Sequence, residues 1–314
     1  MNDHADLVAG QHGRPRVCAG EDVLIAIAVS TESGGLEMES SMRVTFWGVH
    51  GSIPSPGALT ARHGGNTSCV AIDLGREKTL VLDAGMGIRA LGKAMMSRDA
   101  EIFVLLSHHH WDHVQGFPFF APIYQPYRRI YCFPSPQGHT LLCSLLEQMD
   151  GPHFPVTPNR LPSQTECITD DVMGFLRAHG IHISRIPTNH PGGGYGYRIA
   201  YDGRSVVYLT DKELDPPYPK ATAFDAFAHF CQHADVLIHD AQYLPSDMPQ
   251  KRGWATVSSA KRASWPWPQR SNISSSTTMI PSGPTTSWMR SKRTLVRGLP
   301  GMSLPSPVRP HSRA

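Results

Sequence analysis

The strongest constraint in the chain is the apolar run Ile102-Phe103-Val104-Leu105-Leu106, followed by Ser107 and then His108-His109-His110-Trp111-Asp112-His113. A short, continuous β-branched and aromatic run reads as a strand buried on both faces. Such a strand needs a sheet covered on two sides, and this one brings four imidazoles and a carboxylate to a single end of it. An isolated His-His pair would read as a solvated loop. The added aspartate, the spacing and the preceding strand make a metal site instead. Neutral imidazole nitrogen and carboxylate oxygen suit zinc, at about 2.0 to 2.2 Å, with an open position for water. Zinc lowers the pKa of such a water from 15.7 to about 7, making hydroxide available at neutral pH.

The flanking sequence supplies a sheet for that strand. Val70 to Leu74, Thr79 to Leu82, Ile181 to Ile186, Tyr197 to Tyr201, Ser205 to Leu209 and Val236 to Ile238 are further apolar runs bounded by glycine, proline or polar residues, as strands are. Arg43 to Gly48 has strand composition and marks a structured beginning at Met42. Helices are expected over Ile88 to Met96, His139 to Met149 and Thr222 to His233. Strands mixed with fewer helices predict an α/β sandwich rather than a bundle or a repeat protein. Residues 1 to 41 lack periodicity and read as a flexible extension, with a functional start downstream of the first methionine.

Composition excludes several classes. The six cysteines are dispersed without a C-x-x-C pair, so neither a zinc ribbon nor a disulfide framework is expected, and a reducing cytoplasm is the simplest location. The longest early apolar run, Val23 to Val29, is far short of the roughly 20 residues that span a bilayer, so no membrane partner is expected. The net charge of +3 conceals two halves: the last 61 residues, from Trp254, hold nine Lys/Arg and no acid, leaving 20 basic against 26 acidic residues before them. The main body is therefore not a uniformly basic nucleic-acid binder.

The H-x-H-x-D-H pattern after a strand resembles the metallo-β-lactamase superfamily. The likeness continues through Gly64-Gly65-Asn66-Thr67-Ser68, Leu82-Asp83-Ala84-Gly85, Asn189-His190-Pro191-Gly192-Gly193, Leu209-Thr210-Asp211 and Ile238-His239-Asp240-Ala241. It is closest to the phosphodiesterase side, which includes ribonuclease Z. The resemblance implies a four-layer αββα sandwich over residues 42 to 253 and two divalent metals, zinc first, with manganese or iron as alternatives. His108, His110 and His190 would hold one metal; Asp112 and His113 would hold the second, with Asp211 bridging. Histidine at 110, where redox-active diiron relatives have glutamate, favours hydrolysis. His239 and Asp240 are similar to the pair that supports proton transfer in ribonuclease Z, with aspartate replacing glutamate, and a structural hydrogen bond is the competing role for Asp240. Asp83 is either a strand-end turn residue or the group that orients a ligand histidine. His109, His153, His229 and His233 are assigned to packing or surface. The expected substrate is a cyclic nucleotide, another cyclic phosphate or an RNA end. A lactone, thioester or β-lactam is the alternative, and a homodimer is left open.

After Trp254 the family pattern should continue with G-H-S and later H-H-D-P, but a basic Ser/Pro-rich tail follows instead, with four of the six tryptophans. Codons compatible with Trp254-Ala255-Thr256-Val257 read G-H-S one base out of frame, and those for the stretch beginning Thr277-Thr278-Met279-Ile280 read H-H-D-P. A frameshift near Trp254 is therefore expected, leaving the sandwich incomplete at its C-terminus, the tail disordered, and a non-catalytic remnant as one outcome. A tail that binds nucleic acid is the rival reading.

Overall fold

The computed structural model describes residues 42–240, apart from 59, 62, 76, 135–142 and 215, together with the backbone of 276–280. One sheet runs in chain order through β1 (Met42–Gly48), β2 (Cys69–Leu74), β3 (Lys78–Leu82), β4 (Glu101–Leu105), β5 (Arg129–Phe133) and β6 (Gln164–Cys167). The other contains β7 (His182–Pro187), β8 (Tyr195–Tyr201), β9 (Arg204–Leu209), β10 (Val236–Asp240) and β11 (Ser276–Ile280), in the order β11-β10-β9-β8-β7. The helices are α1 (Ile88–Met95), α2 (Trp111–Val114), α3 (Ser144–Glu147), α4 (Val172–Ala178) and α5 (Phe224–Cys231).

The pleat sorts these strands into layers. Along β4, Phe103 and Leu105 enter the core shared with the second sheet, while Ile102 and Val104 face the layer containing Ile88, Leu91 and Met95 of α1. In the second sheet, Val206, Tyr208 and Ile238 point inward, while Val207, Leu209 and Leu237 pack against Phe227 of α5. Both faces of the central strands are covered, which is why their sequences are nearly uninterrupted apolar runs. The result is the four-layer αββα sandwich of the metallo-β-lactamase type.

The register puts the functional segments at one edge. β3, β4, β5 and β6 are successive parallel neighbours, as are β9 and β10, and β7 and β9 are each antiparallel to β8. The C-terminal ends of β3, β4, β7, β9 and β10 lead directly to Asp83, the 107–113 loop, His190, Asp211 and Asp240. Tyr208 and Tyr197 join the sheets at this edge: their hydroxyls donate to Asp83 Oδ2 and the Leu106 carbonyl, both at 2.7 Å.

Strands β5 and β6 and helices α2 and α4 were not expected from the sequence. β6, Gln-Thr-Glu-Cys, has no apolar alternation because it lies at a sheet edge, and its strand conformation follows from pairing with β5. Within the expected helix at 139–149, only Ser144–Glu147 is helical among the described residues, and 139–142 lie outside them. β11 lies inside the tail for which no regular structure was expected. It pairs in parallel with β10, Asp240 opposite Ile280, and thus covers Thr277 to Ile280, part of the out-of-frame H-H-D-P stretch. The remaining tail residues, the out-of-frame G-H-S position, and residues 1–41 lie outside the described residues. Among the described residues no helix is long and apolar enough to cross a membrane.

Candidate metal centre

Two aspartates follow strand ends in the same unusual conformation. Asp83 after β3 has φ 61° and Asp211 after β9 has φ 50°, the left-handed region that aspartate tolerates better than most L-residues. Each turns its chain sharply at the shared edge. Gly85 lets the chain after Asp83 pass close to the ligand loop, since a Cβ there would lie 2.2 Å from the Asp112 carbonyl oxygen and 2.6 Å from Thr67 Oγ1. The Gly64 to Ser68 motif is scaffold of the same kind: Asn66 O accepts from the Val49 and His50 amides, and Thr67 Oγ1 from the Met86 amide.

The predicted ligands converge from these segments. Candidate ligand atoms of His108, His110 and His190 lie within 4.8 Å of one another, and so do those of His108, His113 and Asp211. His108 thus stands between two groups, whereas the sequence reading placed it in the first alone. His190 Nε2 is 3.0 Å from His110 Nδ1, and His113 Nε2 is 3.3 Å from Asp211 Oδ2 and 3.5 Å from Asp112 Oδ2. Asp112 is thus at the edge of the second group, where its Oδ2 also accepts the Ser52 amide at 2.8 Å.

Asp83 takes both roles weighed from the sequence. Its fully buried carboxylate accepts from the Ser107 amide at 2.7 Å, the Ser107 hydroxyl at 2.8 Å and the Tyr208 hydroxyl at 2.7 Å, and faces His113 Nδ1 at 2.8 Å. That last contact turns Nδ1 toward Asp83 and leaves Nε2 facing Asp211, so in its neutral form, with the proton on Nδ1, His113 offers Nε2 to a cation. Ser107 Oγ lies 3.0 Å from His108 Nδ1, while His108 Nε2 is buried without a hydrogen-bond partner among the described residues. A buried orphan nitrogen is costly. A cation bound there would satisfy it, so the donor set fits a divalent metal.

The electrostatics act in opposite directions on the two buried histidines. Burial and the neighbouring histidines His113, His190, His110 and His109 hold the His108 pKa well below its ordinary value, favouring the neutral ligand form. Burial also works against charge on His113, but Asp83 and Asp211 outweigh it and raise its pKa well above the ordinary value. Asp112 is likewise opposed by burial, yet His113 and the Ser52 amide hold its carboxyl below the usual range.

A pocket opens beside the second group, lined by residues that include Gly51, Asp112, His113, Tyr208, Asp211 and Asp240. Asp240 is buried, and both its carboxylate oxygens lack a hydrogen-bond partner among the described residues. Burial and Asp211 raise its pKa. His239 is not among the pocket-lining residues: its Nδ1 faces the Asp240 carbonyl oxygen at 2.6 Å and its Nε2 faces Lys212 Nζ at 2.8 Å. Lys212 is fully buried over the Phe227 ring, and burial lowers its pKa. Lys212 was not expected at the site from the sequence, although a lysine immediately after a candidate ligand at a strand end was the available signal.

Other positions fall away from the pocket. His109 Nδ1 is 2.7 Å from Ser144 Oγ, and His153 is exposed and paired with Asp150. His229 and His233 lie at and just beyond the end of α5. Asn189 is structural, its side chain bonding Glu213 O, Thr222 O and the Thr222 amide, each at 2.9 Å, so that the turn presenting His190 is fixed.

An αββα sandwich that brings one group of three histidines and one of two histidines and an aspartate to its strand ends fits a metal-dependent hydrolase. The chain belongs to the beta-lactamase superfamily domain family, whose model matches residues 78–265. That match extends beyond residue 253, where the sequence reading ended the domain. Among solved structures the chain is similar to the metallo-beta-lactamase fold protein YhfI from Bacillus subtilis, with 22% identity over 65% of this chain and 73% of that one, TM-score 0.46. It is also similar to the short form of human tRNase Z, with 18% identity over 71% and 86%, TM-score 0.45. A third is Zn(2+)-bound PqqB from Methylobacterium extorquens, with 16% identity over 68% and 80%, TM-score 0.47. No curated protein matches the chain.

Proposed function

We propose that this protein is a phosphodiesterase that uses two divalent cations, zinc by preference, to cleave a cyclic nucleotide, another cyclic phosphate or an RNA end. The observation that carries the reading is that two groups of candidate ligand atoms meet at His108, and the second lines a pocket through His113 and Asp211. His108, His110 and His190 would hold one cation, and His113, Asp211 and Asp112 the other. A bound pair of this kind supplies acidified water and neutralises charge on the attacking and leaving oxygens of a phosphoryl displacement.

The chain's own groups do the rest. Asp83 orients His113, and the Ser52 amide holds Asp112 in place. Asp240 is the proposed proton carrier: its carboxylate faces the pocket, and burial favours its protonated form. His239 supports it by fixing the Asp240 backbone and contacting Lys212. The hydrolase domain in this reading comprises residues 42–253, joined in its second sheet by β11 from the basic tail.

Parallel assays with bis(p-nitrophenyl) phosphate and a lactone panel test the proposal on metal-loaded protein. Phosphodiester turnover is expected. Exclusive carbonyl hydrolysis would replace it with the lactone, thioester or β-lactam reading, and absence of any turnover would leave a non-catalytic remnant.

A further inference from the structure

Two large apolar side chains stand in water on segments that contribute to the pocket lining: Trp111, beside Asp112, is 65% exposed, and Ile53, two positions from Gly51, is 66% exposed. Tryptophan is highly buried on average, so an indole this open next to candidate metal ligands needs a reason. Both residues are anchored to the same carboxylate. Trp111 directly precedes Asp112, and Ile53 directly follows Ser52, whose amide donates to Asp112 Oδ2 at 2.8 Å.

Neither segment is loose. Trp111 opens α2, where its carbonyl accepts the Gln115 amide at 2.9 Å and the preceding His110 carbonyl accepts the His113 amide at 2.9 Å. The Ile53 amide donates to Gly51 O at 3.0 Å, and Gly51 and Asp112 both line the pocket. A tryptophan on an ordered segment has only two side-chain torsions to restrict when a flat ligand stacks on it.

We propose that Trp111, with Ile53 on the segment joined to Asp112 through Ser52, is a specificity-determining residue that stacks against the nucleobase of the substrate while its phosphodiester lies at the cation groups. The inference rests on the phosphodiesterase reading and narrows it to nucleotides. Base-on-aromatic stacking has a strength that corresponds to about a tenfold effect on affinity.

The test compares kcat/KM for adenosine 2′,3′-cyclic phosphate with that for glycerol 1,2-cyclic phosphate, which offers the same reacting ring without a base. In the full chain, Trp111→Ala should lower the ratio of the two about tenfold, mainly through KM for the nucleotide, and Trp111→Phe should retain most of it. A ratio unchanged in Trp111→Ala overturns the inference while leaving the phosphodiesterase reading intact. If the wild type cleaves neither compound, that reading fails for cyclic phosphates, and calorimetric binding of adenosine 5′-monophosphate decides the inference separately. About tenfold weaker binding in Trp111→Ala supports the stack, and equal binding or none overturns it.

Discussion

His190 Nε2 lies 3.0 Å from His110 Nδ1 although the two residues are 80 positions apart and belong to loops from different sheets. Zinc–nitrogen bonds of 2.0 to 2.1 Å in tetrahedral geometry place neighbouring ligand nitrogens roughly 3.3 Å apart. The observed separation is close to that, so a cation can enter with small ring movements.

The position of His108 against both groups predicts unequal losses of metal. His108→Ala should reduce bound zinc from two equivalents toward none, because the first group loses a donor and the second loses the ring packed 4.1 Å from that of His113. His190→Ala should keep close to one equivalent, held at His113 and Asp211. Elemental analysis after dialysis measures this, and equal stoichiometry in the two variants would show that His108 supports one group only.

Asp83→Asn keeps a residue that tolerates positive φ but removes the charge accepting from Ser107, Tyr208 and His113. Loss of one partner in a buried ion pair costs about 3 to 5 kcal/mol. Removing the group that orients a ligand histidine costs about 10- to 100-fold in metal affinity. Denaturant midpoints and a zinc competition titration should show both, and an effect on affinity alone would mean that Asp83 contributes little to the fold.

The raised pKa of His113 sets the pH response. In the metal-free protein its proton persists above the ordinary histidine range, so a cation must displace it and apparent zinc affinity should rise with pH. The same shift adds stability to the metal-free fold that is complete below the unfolded-state pKa and is lost as pH rises through the folded one. Zinc titrations at pH 6 and pH 8, with metal-free unfolding at both, should give tighter binding but a smaller His113 contribution to stability at pH 8. His113→Asn should reduce both dependences.

Gly85→Ala would place a Cβ 2.2 Å from the Asp112 carbonyl oxygen, a backbone atom that cannot rotate away. Overpacking of this kind costs about 1 to 3 kcal/mol or more. A lowered melting temperature together with weakened metal binding is expected, since the displaced segment carries Asp112 and His113.

Removing Lys212 tests its coupling to Asp240. Lys212→Met leaves Asp240 buried without the nearby cation, so the Asp240 pKa should rise further and stability should fall at neutral pH. Lys212→Met combined with Asp240→Asn should recover much of that loss, because replacing both charges removes the penalty of leaving one alone. A double-mutant cycle from denaturant unfolding measures the coupling, and strictly additive effects would show that the two groups are independent.

Much of the architecture was legible because the central strands are covered on both faces. Ile102 to Leu106 and Ser205 to Leu209 are nearly pure apolar runs for that reason, and they lie within one residue of the observed strands. β6 was not legible: an edge strand of Gln, Thr, Glu and Cys carries no hydrophobic pattern, and only backbone pairing with β5 makes it a strand. The ligand loop was legible because its donors are packed into six consecutive residues. The Lys212 contacts were not, since a lysine in sequence reads as a solvated side chain until the fold buries it beside His239 and Phe227.

The sequence by itself determined which donors are available, because strand periodicity and the spacing from His108 to His113 are local properties of covalent chemistry and burial. Only the tertiary structure decided that His108 lies between two groups of candidate ligands, that Asp83 faces His113 across the sheet edge, and that Trp111 remains in water. These depend on strand register and on the packing of two sheets, which bring together atoms separated by tens of residues, and no local pattern encodes that distance.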